Sequence, residues 1–298
     1  MGMEIMDIPL LVEEVALKLI KLAAVMLPKD VKEALQEAYR KESHPIGKLH
    51  LENILENIRM AEEMNIPLCQ DTGVISFYLK VGSIFSGLSM IERALCKAVR
   101  EATLNIPLRS NAIDFFTNEN SGDNTGRYLP YVNWEFFNGD YIDITVLLKG
   151  GGSENACTVK MLDPSDGLNG LKRFVLESVI RAGGKPCPPT IIGIGLGGGA
   201  DISMTLAKKA LLKPITEVNP DKRVAELEKE LYTAVNMTGI GPMGLGGDTT
   251  TLAVKIEYAH RHPASYPVAI AFQCWAARKA SARIHLNGEV EYLTHNLF

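Results

Sequence analysis

Hydrophobic spacing first changes near residue 74, and that change limits what the chain can fold into. Between residues 9 and 64 apolar residues recur at helical spacing and predict three helices. Pro28 opens the second, "KDVKEALQEAYRKE", and "HPIG" separates it from the third, "KLHLENILENIRMAEEM". After "PLCQDTG" (67–73) the period falls to two in "VISFYLKVG", which reads as a strand. From there helices and strands mix. "SMIERALCKAVREATLN" is helical, and "YVNWEFFNGDYIDITVLLKGGG" reads as a hairpin because Asn138-Gly139 suits a tight two-residue turn. A helix near 168–183 precedes the loop "GKPCPP", and the strand "TIIGIG" runs into a glycine-rich loop and the helix "ISMTLAKKALL". A charged helix follows over 221–237, then strands at 251–259 and 266–272, a helical stretch around 275–280 and a closing hairpin at Asn287-Gly288. The pattern predicts an α+β protein: a helical N-terminal part, then mixed α/β with β-hairpins. A single large domain over 1–298 is expected, with residues 1–8 as a flexible lead.

The 298 residues, 46% apolar and 22% charged, are enough to bury a sizeable core. A net charge of -4 gives no electrostatic reason to expect nucleic acid or an acidic membrane as partner. Glu13 and Glu14 interrupt the first apolar stripe, unlike a signal or transit peptide, and no apolar run approaches the roughly 18 residues a membrane helix needs. A cytoplasmic protein is expected. Five cysteines, an odd and scattered set, argue against a disulfide framework.

Those thiols differ in setting. Cys96 shares a helical face with Ile91, Leu95 and Val99 and reads as a small buried hydrophobe. Cys157, after "GGGSENA", leans towards a structural role. Cys69 follows Pro-Leu in a loop, Cys187 is flanked by Pro186, Pro188 and Pro189, and Cys274 stands where a strand ends. Proline holds a loop in one conformation and removes backbone donors, which suits a thiolate presented to metal. Their spacing is not that of a paired zinc site. Three unrelated loop cysteines account for it as well as a converging set does. A converging set would hold three irons of a cubane and leave the fourth open.

Glycine marks three further places. "GIGLGGG" matches the dinucleotide fingerprint at Gly193, Gly195 and Gly198, with Glu217 about 20 residues on, so an NAD-dependent oxidoreductase is one alternative. A helix N-terminus approaching an anion or a cluster, or a plain tight turn, are the others. "KGGGSEN" (149–155) and "GIGPMGLGGDTT" (239–250) also let backbone approach something closely, and no P-loop ending occurs. His260 and His262 share a face if extended, as a zinc pair or as ordinary surface histidines. Arg109, in "NIPLRSN", carries a guanidinium able to clamp a carboxylate, or is simply solvated.

Together "CQDTG", "LRSNA", "GGGSEN", "GIGPMGLGGDTTTLAVKIEYAHRHPAS" and "FQCWAARKASARI" resemble the class I, iron–sulfur fumarate hydratases and the related L-tartrate dehydratases, over about residues 10–290. The chain looks like the alpha subunit of the two-subunit form, because it ends where single-chain members continue into a C-terminal domain. The resemblance implies that Cys69, Cys187 and Cys274 carry a [4Fe-4S] cluster. It implies a pocket lined by Gln70, Asp71 and Thr72, with Asp71 taking part in proton transfer and Thr72 beside it at the catalytic centre. Arg109 and His262 would bind the carboxylates of a C4 dicarboxylate, and the Gly150, Gly151 and Gly152 loop would approach it with backbone. The remaining substrate-binding arginines, a lysine and a catalytic threonine would come from a beta subunit, in an alpha2beta2 complex with alpha–alpha contact. "GLGGDTT" looks more like the fumarases, whereas the "CW" pair also occurs on the tartrate side. The expected reaction is fumarate to L-malate, with L-tartrate dehydration as the alternative.

Overall fold

The computed structural model describes residues 7–85 and 88–295. Helices and mixed sheets make an α+β chain, as the hydrophobic periods predict. In chain order the elements begin with α1 (Ile8–Val25), α2 (Lys29–Lys41), α3 (Pro45–Met64), β1 (Val74–Gly82), α4 (Ile91–Asn105), β2 (Tyr131–Phe137) and β3 (Tyr141–Lys149). They continue with α5 (Gly151–Asn155), β4 (Thr158–Leu162), α6 (Gly167–Ala182), β5 (Thr190–Gly198), α7 (Ala200–Ala210) and α8 (Lys222–Asn236). The last are β6 (Thr251–Arg261), β7 (Tyr266–Gln273), β8 (Lys279–His285) and β9 (Val290–Tyr292). Among the described residues no helix is long and apolar enough to cross a membrane.

The chain divides into two compact units. Unit 1 comprises Met1–Lys29, Ile58–Gly150 and Arg278–Phe298; unit 2 comprises Asp30–Asn57 and Gly151–Ala277. Their boundaries fall at the start of α2, inside α3, in the "GGGS" stretch between β3 and α5, and just before β8.

Unit 1 holds a five-stranded sheet in the order β2-β1-β3-β8-β9. Alternate residues of β1 and β3 are buried, and Phe77, Leu79, Ile142, Ile144 and Val146 pack with Leu19 and Ile20 of α1 and Leu95 and Val99 of α4. The opposite face is polar. There Asp143 pairs with Arg283 through both carboxylate oxygens at 2.7 and 2.9 Å, and Thr145 meets Ser281 at 2.8 Å. Of the flexible lead expected over 1–8, residues 1–6 lie outside the described residues. Asp7 is an ordered N-cap accepting the Leu10 amide at 3.2 Å, and Ile8 opens α1.

Three expectations fail here, the first two where a distant partner overrides local chemistry. The 131–149 hairpin does not form: β1 lies between β2 and β3, parallel to the first and antiparallel to the second. Asn138-Gly139 instead carries the chain over the end of β1. A Cβ on Gly82 would stand 2.3 Å from the Gly139 carbonyl oxygen, so only glycine lets the strands end so close. The parallel β1–β2 pair is connected through α4, since parallel strands need a long crossover. The helix expected over 275–280 is a turn followed by β8, whose pairing with β3 captures the helix-favouring "ARKA". "HPIG" is not a separator throughout, because Pro45 is already the first residue of α3. The closing hairpin does form: Ile284 pairs with Val290, and Gly288 takes φ +86° in its turn.

Unit 2 holds a four-stranded sheet in the order β4-β7-β5-β6. Ile192 and Ile194 of β5 join Val268, Ile270 and Phe272 of β7 in a core with Phe174 and Val175 of α6 and Leu231 and Val235 of α8. Helix α7 covers the other face, and it does so without intervening side chains. A Cβ on Gly195 would lie 1.8 Å from the Ser203 carbonyl oxygen, and one on Gly193 would lie 2.1 Å from that of Ala207. The glycines of the dinucleotide pattern are therefore inside a strand, paired with β6 and β7, and serve helix–sheet contact. This corrects the nicotinamide alternative, which requires the first of them to form a phosphate-binding turn. The short strand β4 went unanticipated; it pairs antiparallel with β7.

Gly195→Ala is expected to destabilise unit 2 by about 1–3 kcal/mol by displacing α7. Gly126→Ala, where a Cβ would meet nothing within 4 Å, is expected to stay within about 0.5 kcal/mol of the parent. Chemical denaturation of the two variants checks both values.

Candidate active site

In unit 1 the turn 67–73 leaves α3 at Asn65, whose φ of +54° ends the helix, and the Leu68 amide fastens it to the Ala24 carbonyl at 2.9 Å. Cys69 is half-buried, Gln70 exposed, Asp71 half-buried and Thr72 buried. Asp71 Oδ1 accepts the Gly73 amide at 3.0 Å, closing an Asx turn. The Thr72 hydroxyl donates to the Arg109 carbonyl at 3.2 Å while accepting the Arg109 amide at 3.1 Å and the Asn111 side-chain amide at 3.3 Å. Its donor and its lone pairs are thus engaged in holding the 108–112 loop against the turn. Asn124 completes that loop. Its Oδ1 accepts the Asn111 amide at 2.7 Å, and its Nδ2 donates to the Arg109 carbonyl at 3.2 Å. The backbone of Arg109 is fixed and its side chain is exposed.

Gly150 closes the same unit from the end of β3. A Cβ there would stand 2.9 Å from Asp71 Oδ2 and 3.1 Å from Arg278 Nη2. Arg278, 1% exposed, donates from Nη1 to the Asp71 carbonyl oxygen.

In unit 2 the Cys187 turn is drawn tight between α6 and β5. Its amide bonds to the Gly184 carbonyl at 3.0 Å, and Cys187 takes φ +52°, a left-handed conformation that a non-glycine residue adopts at a cost. The Cys187 carbonyl accepts the Trp275 amide at 3.1 Å, which sets residues 187 and 274 on adjacent backbones. Both thiols are half-buried, and none of the five cysteines is disulfide-bonded. Gly151 and Gly152, expected in a loop, open the short helix α5; a Cβ on Gly152 would stand 2.7 Å from the Lys185 carbonyl of the cysteine turn. Cys96, expected to be buried, is half-buried like the other four; partial burial pushes its thiol up, and Cys157 Sγ donates to the Ser153 carbonyl at 3.4 Å.

The 239–250 loop also belongs to unit 2, with Gly241, Gly244, Gly246 and Gly247 all at positive φ. Its Met243 amide bonds to the Pro188 carbonyl at 2.8 Å, beside the cysteine turn. Glu42 anchors the loop from the end of α2. Buried to 3% exposure, it accepts the amides of Asp248 at 2.8 Å, Thr249 at 3.1 Å and His44 at 3.2 Å. Ser43 adds its amide at 2.9 Å and hydroxyl at 2.6 Å to Asp248, and these bonds hold the Asp248 carboxyl below the usual range. Nothing in "RKESHP" marks Glu42, because its partners lie 206 and 207 positions away.

His262 is exposed in the turn joining β6 to β7. Its Nδ1 accepts the Ala264 amide at 3.1 Å, so the neutral ring carries its proton on Nε2. Arg261 pins the turn by donating from Nη1 to the carbonyls of His262, Pro263 and Ser265 at 3.0–3.1 Å. A cavity of about 660 Å³ beside this turn, lined by Leu196, Val224, Leu227 and Tyr266 with Asp221 and Arg223, is mostly apolar and excludes the cysteines.

Within neither unit do three or more His, Cys, Asp or Glu side chains of the described residues gather at ion-binding spacing. The donor chemistry does fit an iron–sulfur group: reduced thiols on rigid turns, two of them on adjacent backbones of unit 2. Next to Cys274, Gln273 buries both amide atoms with no partner among the described residues, as a residue facing a non-protein group would.

Glu42→Ala leaves backbone amides without their acceptor and is expected to cost roughly 1–3 kcal/mol. Thermal unfolding measures the loss, and limited proteolysis should open first within 239–250.

A family model described as Fumarate hydratase (Fumerase) matches residues 13–283. The putative L(+)-tartrate dehydratase subunit alpha of Methanocaldococcus jannaschii is 49% identical over 283 residues, covering 94% of this chain and 99% of that protein. The L(+)-tartrate dehydratase subunits alpha of Escherichia coli strains UTI89 and K12 are 37% and 36% identical, each match covering 95% of this chain and 93% of theirs. A match over nearly the whole chain places it in the fumarate hydratase family of hydro-lyases.

Proposed function

We propose that this chain, over 1–298, is the alpha subunit of an iron–sulfur hydro-lyase that removes water from L(+)-tartrate to give oxaloacetate. The relatives that share almost its full length and are named for that substrate support this choice over fumarate, which the sequence patterns had placed first. Fumarate hydration stays as the second reading, favoured by the glycine-rich form of "GLGGDTT". The observation that carries the chemistry is the Trp275 amide on the Cys187 carbonyl, which makes neighbours of two cysteines far apart in sequence.

Cys69, Cys187 and Cys274 would hold a [4Fe-4S] cluster. When bound, its open iron supplies a Lewis acid for the departing or attacking hydroxide. The chain's own residues bind and orient. Arg109 clamps one carboxylate of the diacid bidentately, on a loop that Thr72 keeps in register; Thr72 thus positions rather than reacts. His262 offers its Nε2–H to a carboxylate oxygen, Gln70 its side-chain amide, and Gly150–Gly152 a backbone surface free of side chains. Asp71 accepts or returns the proton at the carbon beside a carboxylate, worth about 10²–10⁴-fold. A carboxylate alone is a weak base for a carbon acid, so a hydroxyl from the beta subunit completes the step. That subunit carries the C-terminal domain, in an alpha2beta2 complex within a reducing cytoplasm.

Anaerobically purified alpha–beta complex should turn over L(+)-tartrate with a kcat/KM at least about tenfold above fumarate and mesaconate. A higher value for fumarate would reverse the choice of substrate. In the same complex Cys69→Ser, Cys187→Ser and Cys274→Ser should each lose iron, visible absorbance and nearly all activity. Cys96→Ser and Cys157→Ser should keep all three.

A further inference from the structure

Arg278 has a setting that packing does not explain. It opens the last segment of unit 1, and its side chain is among the largest fully buried ones, at 1% exposure. A guanidinium taken out of water costs several kcal/mol unless charge and hydrogen bonds answer it, and a methionine would fill the volume without that cost. Its own backbone is fixed, since the Arg278 carbonyl accepts the Leu148 amide at 3.0 Å beside the end of β3. Nη1 donates to the Asp71 carbonyl. Nη2 and Asp71 Oδ2 lie 3.1 and 2.9 Å from one point, the place a Gly150 Cβ would take. The third donor, Nε, is buried without a partner among the described residues. The guanidinium is thus bonded through Nη1 to the main chain of Asp71, and its Nη2 and that residue's carboxylate both face the bare Cα of Gly150.

We infer that Arg278 is a positioning residue for Asp71, gripping its main chain and setting its carboxylate for proton transfer, with Gly150 leaving room beside both side chains. This rests on the reading of Asp71 as the group that moves the proton. Arg278 touches no substrate atom in this role; it acts through Asp71. A planar fork suits the task better than an ammonium, because it fixes direction as well as charge. Misplacing a reacting group by about 1 Å costs on the order of 10²-fold in rate while leaving the substrate's other contacts in place.

The test uses the loaded alpha–beta complex, with Asp71→Asn, Arg278→Lys, Arg278→Gln and the double variant Asp71→Asn/Arg278→Lys. Iron content and Tm are read beside kcat and KM. Arg278→Lys should lower kcat by about 100-fold, with KM within about threefold and iron unchanged. In the Asp71→Asn background the same change should cost less than about threefold more, since a residue acting through Asp71 has nothing left to position. Should Arg278→Lys fail to fold, Arg278→Gln, which keeps a donor but drops the charge, decides by the same split. Wild-type kcat in Arg278→Lys alongside an impaired Asp71→Asn would overturn this inference alone. Wild-type kcat in Asp71→Asn would overturn the role of Asp71 and the inference with it. Parallel loss of Tm, iron and kcat in both Arg278 variants would make Arg278 a packing residue and end the proposal.

Discussion

Irregular backbone must still satisfy its amides and carbonyls, and the loops of this protein depend on that constraint. Cys69, Asp71, Arg109, Cys187, His262 and Cys274 all lie outside the strands and helices, where no ladder supplies partners. Side chains from elsewhere do so instead. Glu42 answers the amides of the 239–250 loop, Asn124 and Thr72 those around Arg109, Arg261 the carbonyls around His262, and Arg278 the carbonyl of Asp71. Each such bond is modest by itself, but a buried polar group left unpaired is expensive. The loops therefore have one inexpensive conformation each, which is what presenting a functional group requires.

The two units contribute different chemistry. Unit 1 carries Asp71, Arg109 and the buried Arg278, groups suited to a small carboxylate-bearing molecule and its protons. Unit 2 carries the paired cysteine turns, the left-handed Cys187 and the buried amide of Gln273. Glycine recurs in both with distinct causes: at 82 and 195 it lets two main chains touch, whereas at 241–247 it supplies positive φ. A glycine count could not separate these uses.

Substrate choice between tartrate and fumarate turns on few atoms, since both are C4 diacids and differ at the hydroxylated carbons. Under the proposed reading this chain supplies contacts to the shared carboxylates, whereas discrimination rests partly on residues a second subunit supplies. This is why relatives of nearly full length informed the substrate better than any loop motif did.

Local physics determined much of what could be read directly. Helices at 8–25 and 29–41 and the strand at 74–82 follow from apolar periodicity, and the sorting of Cys96 from the loop cysteines follows from helical spacing. Those signals arise within a few residues, so they survive in the linear chain. The tertiary structure alone decided that β1 enters between β2 and β3, that the glycines of "GIG" press directly against α7, and that 279–285 is a strand. It alone recruited Glu42, Asn124, Arg261 and Arg278. Most of these outcomes depend on a partner tens to hundreds of positions away, and a sequence shows such residues as ordinary polar or small side chains until folding brings that partner within hydrogen-bonding reach.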